Sequence, residues 1–410
     1  MTNKQAAIKI IKRLRRNGFQ ALLAGGCVRD MLLGRRASDY DIATDARPEE
    51  VIELFKRTLK VGVKFGVVIV LMEGGQVEVA TFRTEADYVD GRRPGAVEFA
   101  GAAEDAGRRD FTINGMFFDP LKKEVTDYVD GQADLKRKLV RTIGRPEDRF
   151  AEDHLRMLRA VRFSTQLGFA IEPKTFAAIC GSAKMIKRIS GERIAMELEG
   201  ILVSPNRSEG VSMLIKSGLA EQIFGGFVEW ETEFAVGVLG QLPKKVSFSL
   251  ALAGFFAGCG RKFAVERLHV LRLSRRQSKQ IGFLLSHRGR LLDEQMSLAQ
   301  LKQLLAEPYF EDLYVLQKAI QKTRYGGRKS VGALIRLRKR IKALGDVELR
   351  PEPLLNGRDL MRLGAVPGPG LGQLAEEMYI AQLEGELKTS KQAEQWVRKW
   401  LKKHKKKTEK

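Results

Sequence analysis

Cysteine and histidine are scarce, and the few present are scattered. Cys27, Cys180 and Cys259 are the three cysteines in 410 residues, far apart and odd in number. No CxxC pair occurs, so neither a disulfide framework nor a zinc ribbon can be drawn. His154, His269, His287 and His404 are dispersed along the chain, and none is assigned a role. Cys27, beside Gly26, reads as a small packing residue in preference to a nucleophile. Long apolar runs are missing as well. No stretch approaches the roughly 18 apolar residues that cross a bilayer. The opening MTNKQAAIKIIKRLRRNGF alternates charge with apolar residues where a signal peptide needs a continuous apolar core. No repeat period is visible. The expected home is the reducing cytoplasm, with no membrane and no protein partner.

Acidic residues are in the minority. Lys and Arg number 72 against 50 Asp and Glu, a formal net charge of +22. With 44% hydrophobic and 30% charged residues the balance is that of a folded chain. Its length, at roughly 150 residues per domain, suggests two or three domains. A surplus this large favours a polyanionic partner, because Lys and Arg gain affinity by releasing counterions from phosphates. A basic tail on an otherwise ordinary protein is the competing reading of charge alone.

The pattern along the chain predicts an α+β protein, a mixed α/β head followed by an all-helical remainder. Ile8, Ile11 and Leu14 recur at helical spacing, with Gly18 placed as a C-terminal cap. Residues 21–24 read as a buried strand ending in Gly25-Gly26, and 28–33 as a helix. The β-branched runs 67–72 and 77–82, joined by Glu73-Gly74-Gly75-Gln76, predict a hairpin. After Gly144-Arg145-Pro146 apolar residues recur at three and four, and helices are expected with breaks near 204–206, 225–226 and 366–370. The terminal RKWLKKHKKKTEK reads as a basic tail that frays.

Five groups of residues can carry chemistry. Gly25-Gly26 before a helix start would aim backbone N–H groups at a phosphate, and Arg29 would add a charge-assisted contact. A simple tight turn is the alternative. Asp39 and Asp41 fall at i and i+2, which in an extended segment places both carboxylates on one side, suited to sharing divalent ions for nucleotidyl transfer. A solvated turn is the plain reading of such a pair. Glu78, in an apolar run, is either a third acid near the metals or an outward residue on an edge strand. In Arg108-Arg109-Asp110-Phe111-Thr112-Ile113-Asn114 the arginines can hold a triphosphate or ribose while Asp110 fixes one guanidinium, or they form a surface ion-pair network. Finally, Asp153, Arg156, Arg159 and Arg162 step by three on an expected helix. The exocyclic amine of cytosine or adenine can donate to Asp153, and Arg156 can donate to cytosine N3 and O2 or adenine N1. Guanine and uracil oppose a carbonyl to that carboxylate. An exposed salt-bridged helix is the alternative.

Together these residues resemble the class II tRNA nucleotidyltransferases, the CCA-adding enzymes, and their bacterial poly(A) polymerase relatives. LLAGGCVRDMLLGR with SDYDIAT is similar to the catalytic motif and RRDFTINGM to the ribose-recognition motif. DYVDGQADLKRKLVRTIG resembles the segment joining head to neck, EDHLRMLRAVRF the nucleotide-selecting helix, and ISGERIAMELEGIL the motif that steadies it. The likeness covers about residues 20–202. It implies a nucleotidyltransferase head over 1–145, a helical neck over 146–225, a helical body and tail over 226–397 that bind RNA, and a basic flexible tail over 398–410. It implies a two-metal enzyme that uses Mg2+ to join CTP and ATP to the tRNA 3′ end and releases diphosphate. By position Asp39 and Asp41 would bind magnesium, with Glu78 beside them among the catalytic acids. Gly25, Gly26 and Arg29 would bind the triphosphate, Arg109 the ribose with Asn114 in the same motif. Asp153 and Arg156 would read the base, with Arg159 and Arg162 near the phosphates. Segment 85–101, containing Asp90-Gly91-Arg92-Arg93-Pro94, is similar to the family's flexible loop, whose presence favours terminal-adenosine addition. Residues 354–363, LLNGRDLMRL, resemble a tail segment. Two departures stand out. The His-Asp dipeptide of a phosphohydrolase domain is absent, and Gly115 stands where alanine is commoner. A poly(A) polymerase or an enzyme adding only the terminal A shares the catalytic residues, and the lysine-rich end slightly favours the polymerase. A non-catalytic RNA-binding module would not need the Asp39–Asp41 pair.

Overall fold

The structure, a computed structural model, describes all residues except 61, 74, 89–93, 327–330 and 409–410. It divides into two compact units, Met1–Arg275 and Arg276–Lys410. The division falls inside the expected 226–397 body and tail.

In the first unit, strands β1 (Ala21–Ala24), β2 (Asp41–Thr44), β3 (Thr58–Leu59), β4 (Val67–Met72), β5 (Gly75–Thr81), β6 (Arg83–Tyr88), β7 (Pro94–Phe99), β8 (Phe117–Asp119) and β9 (Glu124–Thr126) build the head. Seven of them form one mixed sheet in the order β3-β4-β5-β2-β1-β8-β9, while β6 and β7 pair separately. Strand β1 is buried along its whole length, as its uninterrupted apolar run requires. It pairs antiparallel with β2, and β2 runs parallel to β5. The predicted β4–β5 hairpin forms with Met72 opposite Gly75.

Helix α1 (Asn3–Arg16) buries Ala6, Ala7, Ile10, Ile11 and Leu14, the apolar stripe at helical spacing. Thr2 and Gln5 form a capping box at its start. Burial of each large side chain there contributes about 1.5–3 kcal/mol. The head's remaining helices are α2 (Gly26–Leu32), α3 (Pro48–Leu54), α4 (Ala102–Gly107) and α5 (Gly131–Arg137). The neck follows with α6 (Pro146–Glu152), α7 (Arg156–Leu167), α8 (Pro173–Ser182) and α9 (Gly191–Leu202). One short strand, Ala170–Ile171, interrupts this helical region. It pairs parallel with Leu139–Val140, joining neck to head in register.

The second unit is helical among the described residues, with helices such as Leu298–Leu305, Gly332–Leu344, Pro369–Glu384 and Ser390–Thr408. Glu384 accepts from the Leu298 and Ala299 amides at 3.2 and 2.8 Å, capping one helix from the end of another. The 354–363 segment holds a helix, Gly357–Arg362, started by an Asn356–Asp359 capping box. The basic segment expected to fray from 398 is helical through Thr408. The physical reason is its apolar stripe: Ala393 and Val397 are buried, and Trp396, Trp400 and Leu401 pack against the same core. Trp400 Nε1 also donates to Glu377 at 2.6 Å.

Candidate nucleotide site

At the C-terminal end of β1 the chain turns through Gly25 with φ +73° and enters α2 without any side-chain cap. A Cβ at Gly25 would lie 3.2 Å from Arg109 Nη1, so the glycine lets a guanidinium approach the backbone. Arg29, buried on α2, donates through Nη1 to Asn114 Oδ1 at 2.7 Å. Asn114 in turn donates through Nδ2 to Asp110 Oδ1 at 3.1 Å. Asp110 Oδ2 accepts from Arg159 Nε at 2.9 Å. One polar chain thus ties the glycine turn, the RRDFTIN segment and α7 together.

Asp110 does not fix Arg108 or Arg109, as its position beside them suggested. Asp105 does, with Oδ1 accepting from Arg108 Nη2 at 2.7 Å and Oδ2 from Arg109 Nη2 at 2.9 Å. The reason lies in α4: Asp105 is at i−3 and i−4 from the two arginines, while Asp110 has left the helix and turned toward α7. Burial works to raise the Asp105 carboxyl, but the charges of Arg109 and Arg108 prevail and lower it. Burial likewise opposes ionisation of Asp110. The Arg159 charge and hydrogen bond, with help from Asn114 and Arg156, hold it at about 2.

A cavity of about 420 Å³ opens over these groups, within the range that takes a nucleotide-sized ligand. It gathers nine of the predicted site residues: Gly25, Gly26, Arg29, Asp41, Arg109, Asn114, Asp153, Arg156 and Arg159. Six arginines line it against three aspartates, a lining matched to a polyanion. Asp39, Glu78 and Arg162 are outside this lining. Arg162 pairs instead with Glu197 and lies 4.2 Å from the Phe163 ring.

Asp153 does not share a helix with the arginines that follow it. It is extended, with φ −139° and ψ 104°, between α6 and α7. Its Oδ1 accepts from the Leu155 amide at 3.0 Å, a local turn just ahead of α7. The expected strip is therefore an aspartate in the turn between two helices, followed by a helix that carries Arg156, Arg159 and Arg162. Arg156 is nearly buried and tied to Glu152 and to Arg149 O at 3.2 Å. Arg193, from α9, reaches Asp153 Oδ2 at 3.3 Å. Glu152 and Phe163 lie in the quoted EDHLRMLRAVRF and Arg193 in ISGERIAMELEGIL, but none of them had a role of its own in the sequence reading, and Asp105, which holds Arg108 and Arg109 from outside the lining, was not singled out. For Asp105 a signal existed, an acid three and four residues before two arginines.

Asp41 opens β2 and Glu78 sits in β5, each one residue before the Ile42–Val79 pair, so they are neighbours across parallel strands. Both are exposed, as is Asp39. Crowding nonetheless desolvates the Asp41 carboxyl, and that, followed by the charges of Glu78 and Asp39, pushes it up to about 6 against the pull of Arg109. The exposure decides what the group can do, since a cation can reach it. Glu78 thus stands beside the acidic pair while facing solvent, but from a strand that lies between β4 and β2 and is not the edge strand of the second reading. Among the described residues no three metal-ligating side chains form a closed group. An open, all-oxygen pair of carboxylates fits a hard divalent cation that keeps water and substrate oxygens as its other ligands. Cys27 is no rival ligand: it is buried, its thiol donates to Ala24 O, and burial and then Asp41 push it up to about 11. The tip of segment 85–101, residues 89–93, lies outside the described residues.

This head is that of a poly(A)-polymerase-type nucleotidyltransferase. Residues 21–141 match the family described as Poly A polymerase head domain, and 168–230 the one described as probable RNA and SrmB-binding site of polymerase A. Against several relatives the chain spans about half of the other protein's length. The CCA-adding enzyme of Geobacillus kaustophilus is 46% identical over 216 residues, 52% of this chain and 53% of that protein. The CCA-adding enzyme of Lacticaseibacillus paracasei is 35% identical over 396 residues, 94% of each. In three dimensions the Bacillus stearothermophilus CCA-adding enzyme, solved in complex with CTP, superposes with a TM-score of 0.80, 29% identity and 99% coverage of both chains. The chain belongs to the CCA-adding enzyme family. Among the described residues no helix is long and apolar enough to cross a membrane.

Proposed function

We propose that this chain is a template-independent nucleotidyltransferase that adds C, C and A to the 3′ end of tRNA from CTP and ATP, releasing diphosphate, in the cytoplasm. The observation that carries the reading is the cavity in which Asp41, the arginine wall and Asp153 with Arg156 meet. Its parts divide the substrate. Arg29, Arg109 and Arg159 face a triphosphate and ribose with charge-assisted donors. Asp153 keeps free lone pairs for an exocyclic amine, and Arg156 supplies donors beside it. Cytosine and adenine satisfy that pairing, and guanine and uracil oppose it.

Asp39 and Asp41 would hold magnesium, with Glu78 adding negative charge at the edge of the pair. When bound, two such ions neutralise charge on the attacking and leaving oxygens. The chain's own contribution is positioning: the polar relay from Arg29 through Asn114 and Asp110 to Arg159 holds the nucleotide's anionic end between head and neck.

The test offers tRNA ending at the discriminator base, after C, or after CC, with CTP, ATP or both, and reads product length. Addition of C, C and A followed by a stop is expected. Addition of A alone, or long A tracts on any RNA, would reassign the chain to the terminal-A or poly(A) branch. Asp41→Ala should abolish incorporation of both nucleotides, and wild-type turnover in that variant removes the metal assignment. Asp153→Ala should loosen rejection of UTP and GTP more than it slows addition of C.

A further inference from the structure

Phe163 meets three guanidiniums. Its ring centroid lies 5.3 Å from Arg29 Cζ, 5.3 Å from Arg159 Cζ and 4.2 Å from Arg162 Cζ, each within reach of a cation over an aromatic face. The ring is itself held. Phe111, fully buried in the head, meets it in a T-shaped contact at 5.7 Å and 78°. Phe163 is a buried residue of α7 that lines the cavity, and so do Arg29 and Arg159.

Each of these two lining arginines is also gripped by a carboxylate. Arg29 donates from Nε to Asp30 Oδ1 at 2.9 Å, and Arg159 donates from Nε and Nη2 to Asp110 Oδ2 at 2.9 and 2.5 Å. Arg29 comes from α2 in the head and Arg159 from α7 in the neck, so two like charges converge on one ring. Their repulsion grows as water is excluded. A further carboxylate between them would relieve it, but would also cancel the charge that a polyanion needs to meet. An aromatic face attracts each guanidinium through its quadrupole and carries no net charge, so it orients both and leaves their charge in place.

We infer that Phe163 is a positioning residue for the anionic end of the nucleotide: the electrons of its ring face, and not its bulk alone, set where the Arg29 and Arg159 guanidiniums stand. The inference rests on reading the cavity as a nucleotide site. It assigns Phe163 no part in choosing the base, because the anionic end is the same in every nucleoside triphosphate.

The experiment uses the full chain with tRNA substrates and measures kcat and KM for CTP, ATP and UTP. It compares wild type, F163L and a series in which Phe163 is replaced by its mono-, di- and trifluorinated analogues. Leucine keeps an apolar side chain and removes the ring. Fluorine withdraws electron density from the face with little change in size, so the series varies the quadrupole while packing stays nearly constant. KM for CTP and ATP should rise together and stepwise along the series, reaching about 5- to 30-fold at the trifluorinated ring and at least that in F163L. The preference for CTP over UTP should stay that of wild type. A flat fluorine series overturns the inference whatever F163L does, since the ring then acts by packing alone. A rise confined to one nucleotide overturns it as well, and so does a lost preference with KM for CTP unchanged. Should F163L fail to fold, the fluorinated chains, which keep the ring's shape, decide. Wild type that extends no RNA end would overturn the proposed function instead. Binding of inorganic tripolyphosphate to wild type and the fluorinated chains then tests the inference by itself: stepwise weakening upholds it, and constant affinity overturns it.

Discussion

Asp110 accepts from its own neighbour's amide, from Asn114 and from Arg159, and its carboxyl lies at about 2. Burial alone would have raised it, so the ion pair and hydrogen bonds are what the fold gains by ionising this group. A carboxyl lowered from its usual 3.8 to about 2 corresponds to stability on the order of 2 kcal/mol. Because the folded value is depressed, that contribution is complete above the unfolded value and fades as pH falls toward 2. Asp110→Asn should therefore cost on the order of 2 kcal/mol at pH 7, seen as a lower denaturation midpoint. The gap to wild type should narrow between about pH 4 and pH 2. A gap independent of pH down to 2 would mean that the aspartate acts by shape and not by charge. The same residue shows where a sequence stops being readable. Asp110 stands next to Arg109, and adjacency suggested that they pair. Helical geometry gives both arginines to Asp105 instead, one turn back. Arg193 lies forty residues from Asp153, and nothing in local spacing announces their contact.

At the level of elements, strands β1, β4 and β5 and helix α1 were legible because apolar period and turn residues agree there, while the head's other strands were not. The step-of-three pattern from Asp153 to Arg162 misled because periodicity continues across a helix break. Asp153 ends α6 in extended backbone and accepts from the Leu155 amide in the turn that leads to α7. The glycine turn was legible as a motif, while its dependence on a second element was not. That element is α5, whose first residue Gly131 lies against the Thr112–Asn114 turn. A Cβ at Gly131 would approach Thr112 O to 2.3 Å and the Met116 side chain to 2.8 Å. Asp134 of the same helix accepts from Thr112 Oγ1 at 2.6 Å and pairs with Arg141. Gly131→Ala must push α5 off this turn and carry Asn114 away from Arg29. We expect a loss of about 1–3 kcal/mol in stability, as for overpacking generally. The KM for both CTP and ATP should rise together, because in the proposed function Arg29 faces the anionic end common to both. A change confined to one nucleotide would mean that Asn114 acts on the base.

Across the whole molecule, charge is distributed unevenly in function if not in number. The cavity's arginines are mostly paired with Asp105, Asp110, Glu152 and Asp153, and on the proposed function their site would take a small polyanion. The second unit carries 28 Lys and Arg against 15 Asp and Glu from residue 276 onward, without any comparable relay of carboxylates around one cavity among the described residues. Its last helix leaves Lys399, Lys402 and Lys403 exposed beyond the Trp396–Trp400 side that packs inward. Such lysines suit a phosphate backbone, where binding is driven by counterion release and carries no base information. Replacing these three with glutamine should weaken tRNA binding by the full chain. It should also lower the slope of log Kd against log salt by about 0.7–0.9 for each phosphate that the variant no longer neutralises. Single-nucleotide binding should stay as it is, because the cavity's arginines belong to the first unit. If the slope does not change, the excess charge of this helix serves solubility and the RNA is held elsewhere. If CTP binding weakens in parallel, the two units are coupled in a way that charge alone does not explain.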